Sequence, residues 1–118
     1  MSYTPTDDEI VWDIVRAGRR LATFTAGIQW DAFLDDELRQ SAVIRQIEII
    51  GEACRRLSME FRAAHHEIAW TSIIGMRNIL IHAYTRVNLD DVWRVATRDA
   101  PQLIRLLEPL LVEPGDDP

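Results

Sequence analysis

Apolar residues in this chain recur every three or four positions over long stretches and nowhere keep the two-residue alternation of a half-buried strand, which restricts the fold to helices packed on helices. The clearest start signal is Thr6-Asp7-Asp8-Glu9, a capping box with Thr6 at the cap and Glu9 three residues on. Ile10, Ile14, Ala17, Leu21 and Phe24 follow at helical spacing. They predict a first helix from about residue 7 to about residue 27.

Trp30 to Asp35 reads as a turn that tucks Phe33 and Leu34 into the core, after which Asp35 or Asp36 can cap a second helix. That helix carries Val43, Ile47, Ile50, Cys54, Leu57 and Phe61 on one side. Gly51 lies inside it at a cost of about 1 kcal/mol relative to Ala, which close packing against another helix would offset. His65-His66-Glu67 closes the segment, and Trp70 opens a third helix reaching about Tyr84. Asn88 caps a last helix that turns Val92, Trp93, Ala96, Leu103, Leu106, Leu107 and Leu110 inward, with Pro101 set to kink or restart it. The acidic tail Glu113-Pro114-Gly115-Asp116-Asp117-Pro118 is expected to fray from about residue 112. The expected architecture is an all-α, four-helix-type bundle with an extra short or kinked helix, forming one domain over residues 1–118.

With 118 residues the chain can bury a core without staples. The lone Cys54 cannot form an internal disulfide, and there is no zinc-ligand spacing, signal-peptide pattern or membrane-length apolar run, so a cytoplasmic protein is expected. A net charge of -6 argues against a general nucleic-acid binder, which gains affinity through a basic face. Any RNA contact must be local. All 13 basic residues are arginine, a bias that carries no mechanistic weight.

The segment Arg77-Asn78-Ile79-Leu80-Ile81-His82-Ala83-Tyr84 sets an arginine, an imidazole and a phenol into an otherwise apolar stretch. At about 100° per residue, Trp70, Ile73, Ile74, Leu80, Ile81 and Tyr84 form a stripe with Arg77 near its centre. Burying an unpaired guanidinium is prohibitively costly, so Arg77 must find a carboxylate, line a cleft or meet a second subunit. His82 lies about 140° round the helix from Arg77. The two converge if the helix loosens after His82, if the arginine bends round, or if two subunits pool their motifs across a two-fold axis, for which Gly75 offers close approach.

The chemistry open to such a set is metal-independent RNA cleavage. His82 can take the proton of a ribose 2′-hydroxyl, Arg77 can offset the charge developing on the phosphoryl oxygens, and Asn78 can orient His82 or donate to the phosphate. The competing reading makes Arg77 a salt-bridged structural residue, His82 a hydrogen-bonded histidine near a helix end, and Tyr84 a core aromatic. Glu52 either approaches this site, pairs with Arg77 or forms a structural ion pair. The adjacent His65 and His66 suit a helix end better than a metal, Trp12, Trp30, Trp70 and Trp93 read as core or interface anchors, and Cys54 as an inert small hydrophobe.

The ordered series Ile49-Ile50-Gly51-Glu52-Ala53, His66-Glu67-Ile68-Ala69-Trp70, Ile74-Gly75-Met76-Arg77-Asn78 and His82-Ala83-Tyr84 resembles the HepT-like branch of the HEPN superfamily over about residues 33–110. These are small helical toxin ribonucleases that act beside a minimal nucleotidyltransferase antitoxin. The resemblance implies a homodimer with two Arg/His motifs facing one cleft, RNA as substrate with tRNA or mRNA as candidates, and no catalytic metal; no cofactor is expected. It also implies that Tyr84 accepts AMP from the antitoxin. Ala83 departs from the family, where a polar or charged residue is common. A non-catalytic helical module that docks the nucleotidyltransferase or its substrate is the rival from another class.

Overall fold

The computed structural model describes residues 3–75 and 88–112, all in helices and the turns between them. Helix α1 spans Asp7–Thr25 and begins as its capping box dictates, the Thr6 hydroxyl accepting from the Glu9 amide at 3.3 Å. It stops two residues short of the expected end, because Gly27 takes a positive φ of 72° that turns the chain toward α2. Residues Trp30–Leu34 are a short helix, α2, where a turn was expected. Trp30 and Phe33, three apart, share its inner face, which leaves Leu34 42% exposed instead of in the core.

Helix α3 spans Glu37–Arg56, capped by Asp36, whose carboxylate accepts from the Arg39 amide at 2.9 Å and from its Nε at 3.1 Å. These bonds, the backbone one foremost, hold the Asp36 carboxyl below the usual aspartate range. The second helix does not run on to Phe61, as its apolar spacing suggested. Leu57 is extended and buried, and Ser58 caps a separate helix α4, Met59–Ala64, by accepting from the Phe61 amide. Asp7 fixes this break from outside, accepting from the Ser58 amide at 2.9 Å and its hydroxyl at 2.6 Å.

Helix α5 opens at Trp70, and its described part covers residues 70–75. The last helical segment begins with α6, Leu89–Arg94, where the Asn88 side chain accepts from the amides of Asp90 and Asp91. A π turn over Val95–Asp99 follows, then α7, Ala100–Leu107, and a final 3₁₀ turn, Glu108–Leu110. Pro101 has no N–H and its ring would crowd the carbonyl four residues back. The chain accommodates it with one wide turn, closed by the Ala100 amide on the carbonyl of Val95, and so continues without a break.

That one-residue insertion rotates everything after it. An uninterrupted helix carries the apolar face through residues 99, 103 and 106, whereas the π turn moves it to Ala100, Leu103, Ile104 and Leu107, all buried. Leu106, expected in the core, is 45% exposed.

Helix α1 lies between α3 and the last segment and runs antiparallel to both. Its start meets the end of α3 through Asp7 and Ser58, while its end meets the start of α3 where Arg39 donates to the Phe24 carbonyl. On its other flank Trp12 Nε1 donates to the Val112 carbonyl at 3.0 Å, which ties the chain down at the point where fraying was expected to begin. Residues 113–118 lie outside the described residues. Ile10, Val11, Ile14, Val15, Ala17 and Leu21 of α1 pack with Val43, Ile47, Ile50 and Cys54 of α3 and with the last segment. Each fully buried aliphatic contributes about 1.5–3 kcal/mol. An aromatic cluster of Trp30, Phe33 and Trp93, with ring centroids 4.9–6.2 Å apart, closes one end of the bundle. Phe61, His65 and Trp70 close the other.

Gly18 lies in close contact with Ile104. A Cβ on Gly18 would stand 2.3 Å from both Cγ1 and Cδ1 of Ile104. Gly18→Ala is therefore expected to lower stability by about 1–3 kcal/mol through overpacking, read as a reduced urea midpoint with unchanged m value. Ile104→Ala in the same chain removes the obstructing atoms, so the double variant should lose less than the sum of the two single losses. Full additivity would contradict the contact.

Candidate active site

The segment to which sequence reading assigned the chemistry is flanked on both sides by described residues. Upstream, Trp70 is buried, and its Nε1 donates to the carbonyls of Arg62 at 3.2 Å and His65 at 3.0 Å. Those bonds satisfy the indole and dock the start of α5 on the end of α4. One turn on, Ile73 faces a small apolar cavity shared with Ile47 and Ile50 of α3 and with Val95, Asp99, Ala100 and Leu103 of the last segment. Downstream, the Asn88 cap fixes the start of α6, whose Val92 is fully buried.

Arg77, Asn78, His82 and Tyr84 lie outside the described residues. Covalent reach alone limits them: Arg77 is two residues from Gly75, so their Cα atoms are at most about 7 Å apart, and Tyr84 is four residues from Asn88, at most about 14 Å. Among the described residues, nothing lies within 4 Å of where a Cβ on Gly75 would stand.

Glu52, on the half-buried flank of α3, accepts from Arg55 Nη2 at 2.8 Å; its expected alternative of pairing with Arg77 falls on a residue outside the described ones. This contact holds the Arg55 guanidinium in its charged form. His65 and His66 sit in the turn that ends α4, in keeping with a helix-end role. His65 Nδ1 lies 3.7 Å from Glu67 Oε1, and its ring packs on Phe61. Among the described residues no group of three or more His, Cys, Asp or Glu side chains is placed to hold a metal ion. Trp12 is half-buried, with Arg16 and Arg19 over its ring at 5.4 and 5.8 Å.

Two features near this segment were not read from the sequence. One is the π turn ending at Asp99, whose side chain pairs with Arg98 at 3.4 Å and Arg94 at 3.8 Å. The other is an open groove beside α5, walled by the misassigned Leu106. The signal for both was Pro101 inside an otherwise continuous apolar pattern.

A family model described as ribonuclease HepT-like matches residues 16–110 of the chain. The chain belongs to the HepT-like ribonuclease family. A HepT-like relative from Thermococcus cleftensis, provisionally named ribonuclease HepT, is 41% identical over 77% of this chain and 83% of its own length. Another from Methanocaldococcus jannaschii, provisionally named an RNase, is 33% identical over 83% of this chain and 90% of its own. A third, from Caldanaerobacter subterraneus and also provisionally named an RNase, is 38% identical over 72% and 76%. No solved structure matches. The HepT-like match spans both anchors and the whole Arg77-to-Tyr84 segment between them.

Cys54 is fully buried, and burial pushes its thiol up to about 12 despite the opposing charge of Arg62. Alkylation by iodoacetamide at pH 8 should therefore be at least about a hundredfold slower in the folded HepT-like domain than in urea, because almost no thiolate is present. Equal rates in the two states would show that the α3 face is not covered as described.

Proposed function

We propose that this HepT-like protein is a metal-independent endoribonuclease that acts as the toxin of a two-gene system, working as a cytoplasmic homodimer. The observation that carries the reading is the family match over residues 16–110, a span that includes Arg77, Asn78, His82 and Tyr84.

In the proposed reaction His82 removes the proton of a ribose 2′-hydroxyl, and the oxygen attacks the adjacent phosphorus. The bond from phosphorus to the 5′-oxygen of the next nucleotide breaks, and that oxygen takes up a proton as it leaves. Arg77 offsets the charge gathering on the non-bridging oxygens, and Asn78 orients His82 or donates to the phosphate. Two subunits sharing one cleft would bring together an Arg77 and a His82 that diverge on a single regular helix.

Control falls to Tyr84. Its hydroxyl attacks the α-phosphorus of ATP held by a minimal nucleotidyltransferase antitoxin, releasing pyrophosphate and leaving AMP in phosphodiester linkage. The added negative charge and bulk beside Arg77 would repel and displace the substrate phosphate.

His82→Ala and Arg77→Ala should each reduce cleavage of total RNA by at least about a hundredfold, the usual scale for losing a general base or a charge-stabilising donor. Co-expression with the antitoxin should add AMP mass to the Tyr84 peptide, and Tyr84→Phe should escape neutralisation. Activity that survives both active-site substitutions would remove these residues from the mechanism. Full neutralisation of Tyr84→Phe would replace AMP transfer with physical masking.

A further inference from the structure

The groove beside α5 has a volume of about 300 Å³ and runs between the corner that follows α4 and the outer side of α7. Ile68, Ile73 and Leu106 form apolar walls, Ser72, Gln102 and Glu67 supply hydrogen-bonding groups along them, and the Asp99 carboxylate, paired with Arg94 and Arg98, also lines the groove. Leu106 is 45% exposed there because the π turn rotates it off the core face. Ser72 and Gln102 are exposed as well, and the Glu67 side chain is 52% exposed. Apolar walls with a few donors and acceptors at the edge are what an unstacked nucleobase requires.

Three considerations choose among occupants. A phosphate is disfavoured by the Glu67 carboxylate. A second copy of this chain, pressing an apolar surface here, would strip water from Ser72, Gln102 and Glu67 without replacing their hydrogen bonds. A base edge carries donors and acceptors together and can satisfy all three. Position supports the same choice, since Ile73 on the groove wall is four residues from Arg77, a Cα separation of at most about 14 Å. A nucleotide neighbouring the cleaved phosphate can reach it.

We infer that this groove is a base subsite, where Gln102, Ser72 and Glu67 read the edge of one unstacked RNA nucleotide next to the scissile phosphate and Leu106 supports its face. The inference rests on the ribonuclease reading for its substrate. Glu67 can only accept hydrogen bonds when ionised, so the subsite selects bases that present an amino group and rejects uracil, whose single N–H is flanked by two carbonyls.

The test uses the full chain and a set of single-stranded RNA hexamers differing only at the nucleotides flanking the cut. The wild-type protein should cleave adenine-, cytosine- or guanine-containing members about tenfold better, in kcat/KM, than the uracil member at one flanking position. Glu67→Gln and Gln102→Ala should bring that ratio close to one while melting at the wild-type temperature. Leu106→Ala should raise KM for every member. A ratio unchanged in both edge variants, with cleavage still dependent on His82, overturns the subsite and leaves the ribonuclease reading standing.

If no hexamer is cleaved, fluorescence anisotropy of the same labelled hexamers decides. Binding that weakens in Gln102→Ala and Leu106→Ala retains the subsite although the nuclease reading fails, and binding unaffected or absent overturns it. Dissociation of a dimer by Leu106→Arg in sedimentation would assign the groove to a second copy, and would overturn it too.

Discussion

The structure depends on how closely α1 can approach the last helical segment, and Gly18 sets that distance by giving Ile104 a place against bare backbone. α1 is the central member, antiparallel to α3 on one flank and to α7 on the other, so its position fixes both. Asp7 reaches from its first turn to hold the break between α3 and α4, and that break carries the chain to Trp70. On the opposite flank α7, through the π turn, determines where α6 begins and hence where Asn88 lies. The two anchors of the Arg77-to-Tyr84 segment thus trace back to one tight interhelical contact.

The elements most legible in the sequence were those with a local chemical cause. Thr6, Asp36 and Asn88 act as caps because a short oxygen-bearing side chain can take an orphan amide of the first turn, a feature visible within four residues. The buried faces of α1 and α3 follow from spacing in the same way. What escaped depends on contacts distant in the chain or on backbone departures from 3.6 residues per turn. The break at Ser58 is hidden because Leu57 and Phe61 continue the apolar rhythm, and its determinant is Asp7, fifty-one residues away. Leu106 was misassigned because periodicity has no term for an inserted residue. Leu34 was misassigned because α2 is too short for its inner face to be read.

The candidate site was legible in a different manner. Helical geometry alone pulls Arg77 and His82 apart, and the residue types admit a purely structural reading. The proposed roles rest on the ordered landmarks around them, which lie within the span of the HepT-like family match at residues 16–110. Glu52 illustrates the boundary, since its pairing with Arg55 is an ordinary helical neighbour contact that residue spacing alone could have supplied.

An acidic protein of net charge -6 cannot hold RNA by a broad basic face, so in the proposed function RNA contact falls to a few groups at one segment. In the proposed reaction a ribose hydroxyl, activated by His82, is the nucleophile. The direct measurement is the chemistry of the new RNA ends made by the unmodified protein in the presence of chelator. The expected ends of that reaction are 2′,3′-cyclic phosphate opposite 5′-hydroxyl. Ends bearing 3′-hydroxyl and 5′-phosphate, or cleavage that stops when metal is removed, would contradict it.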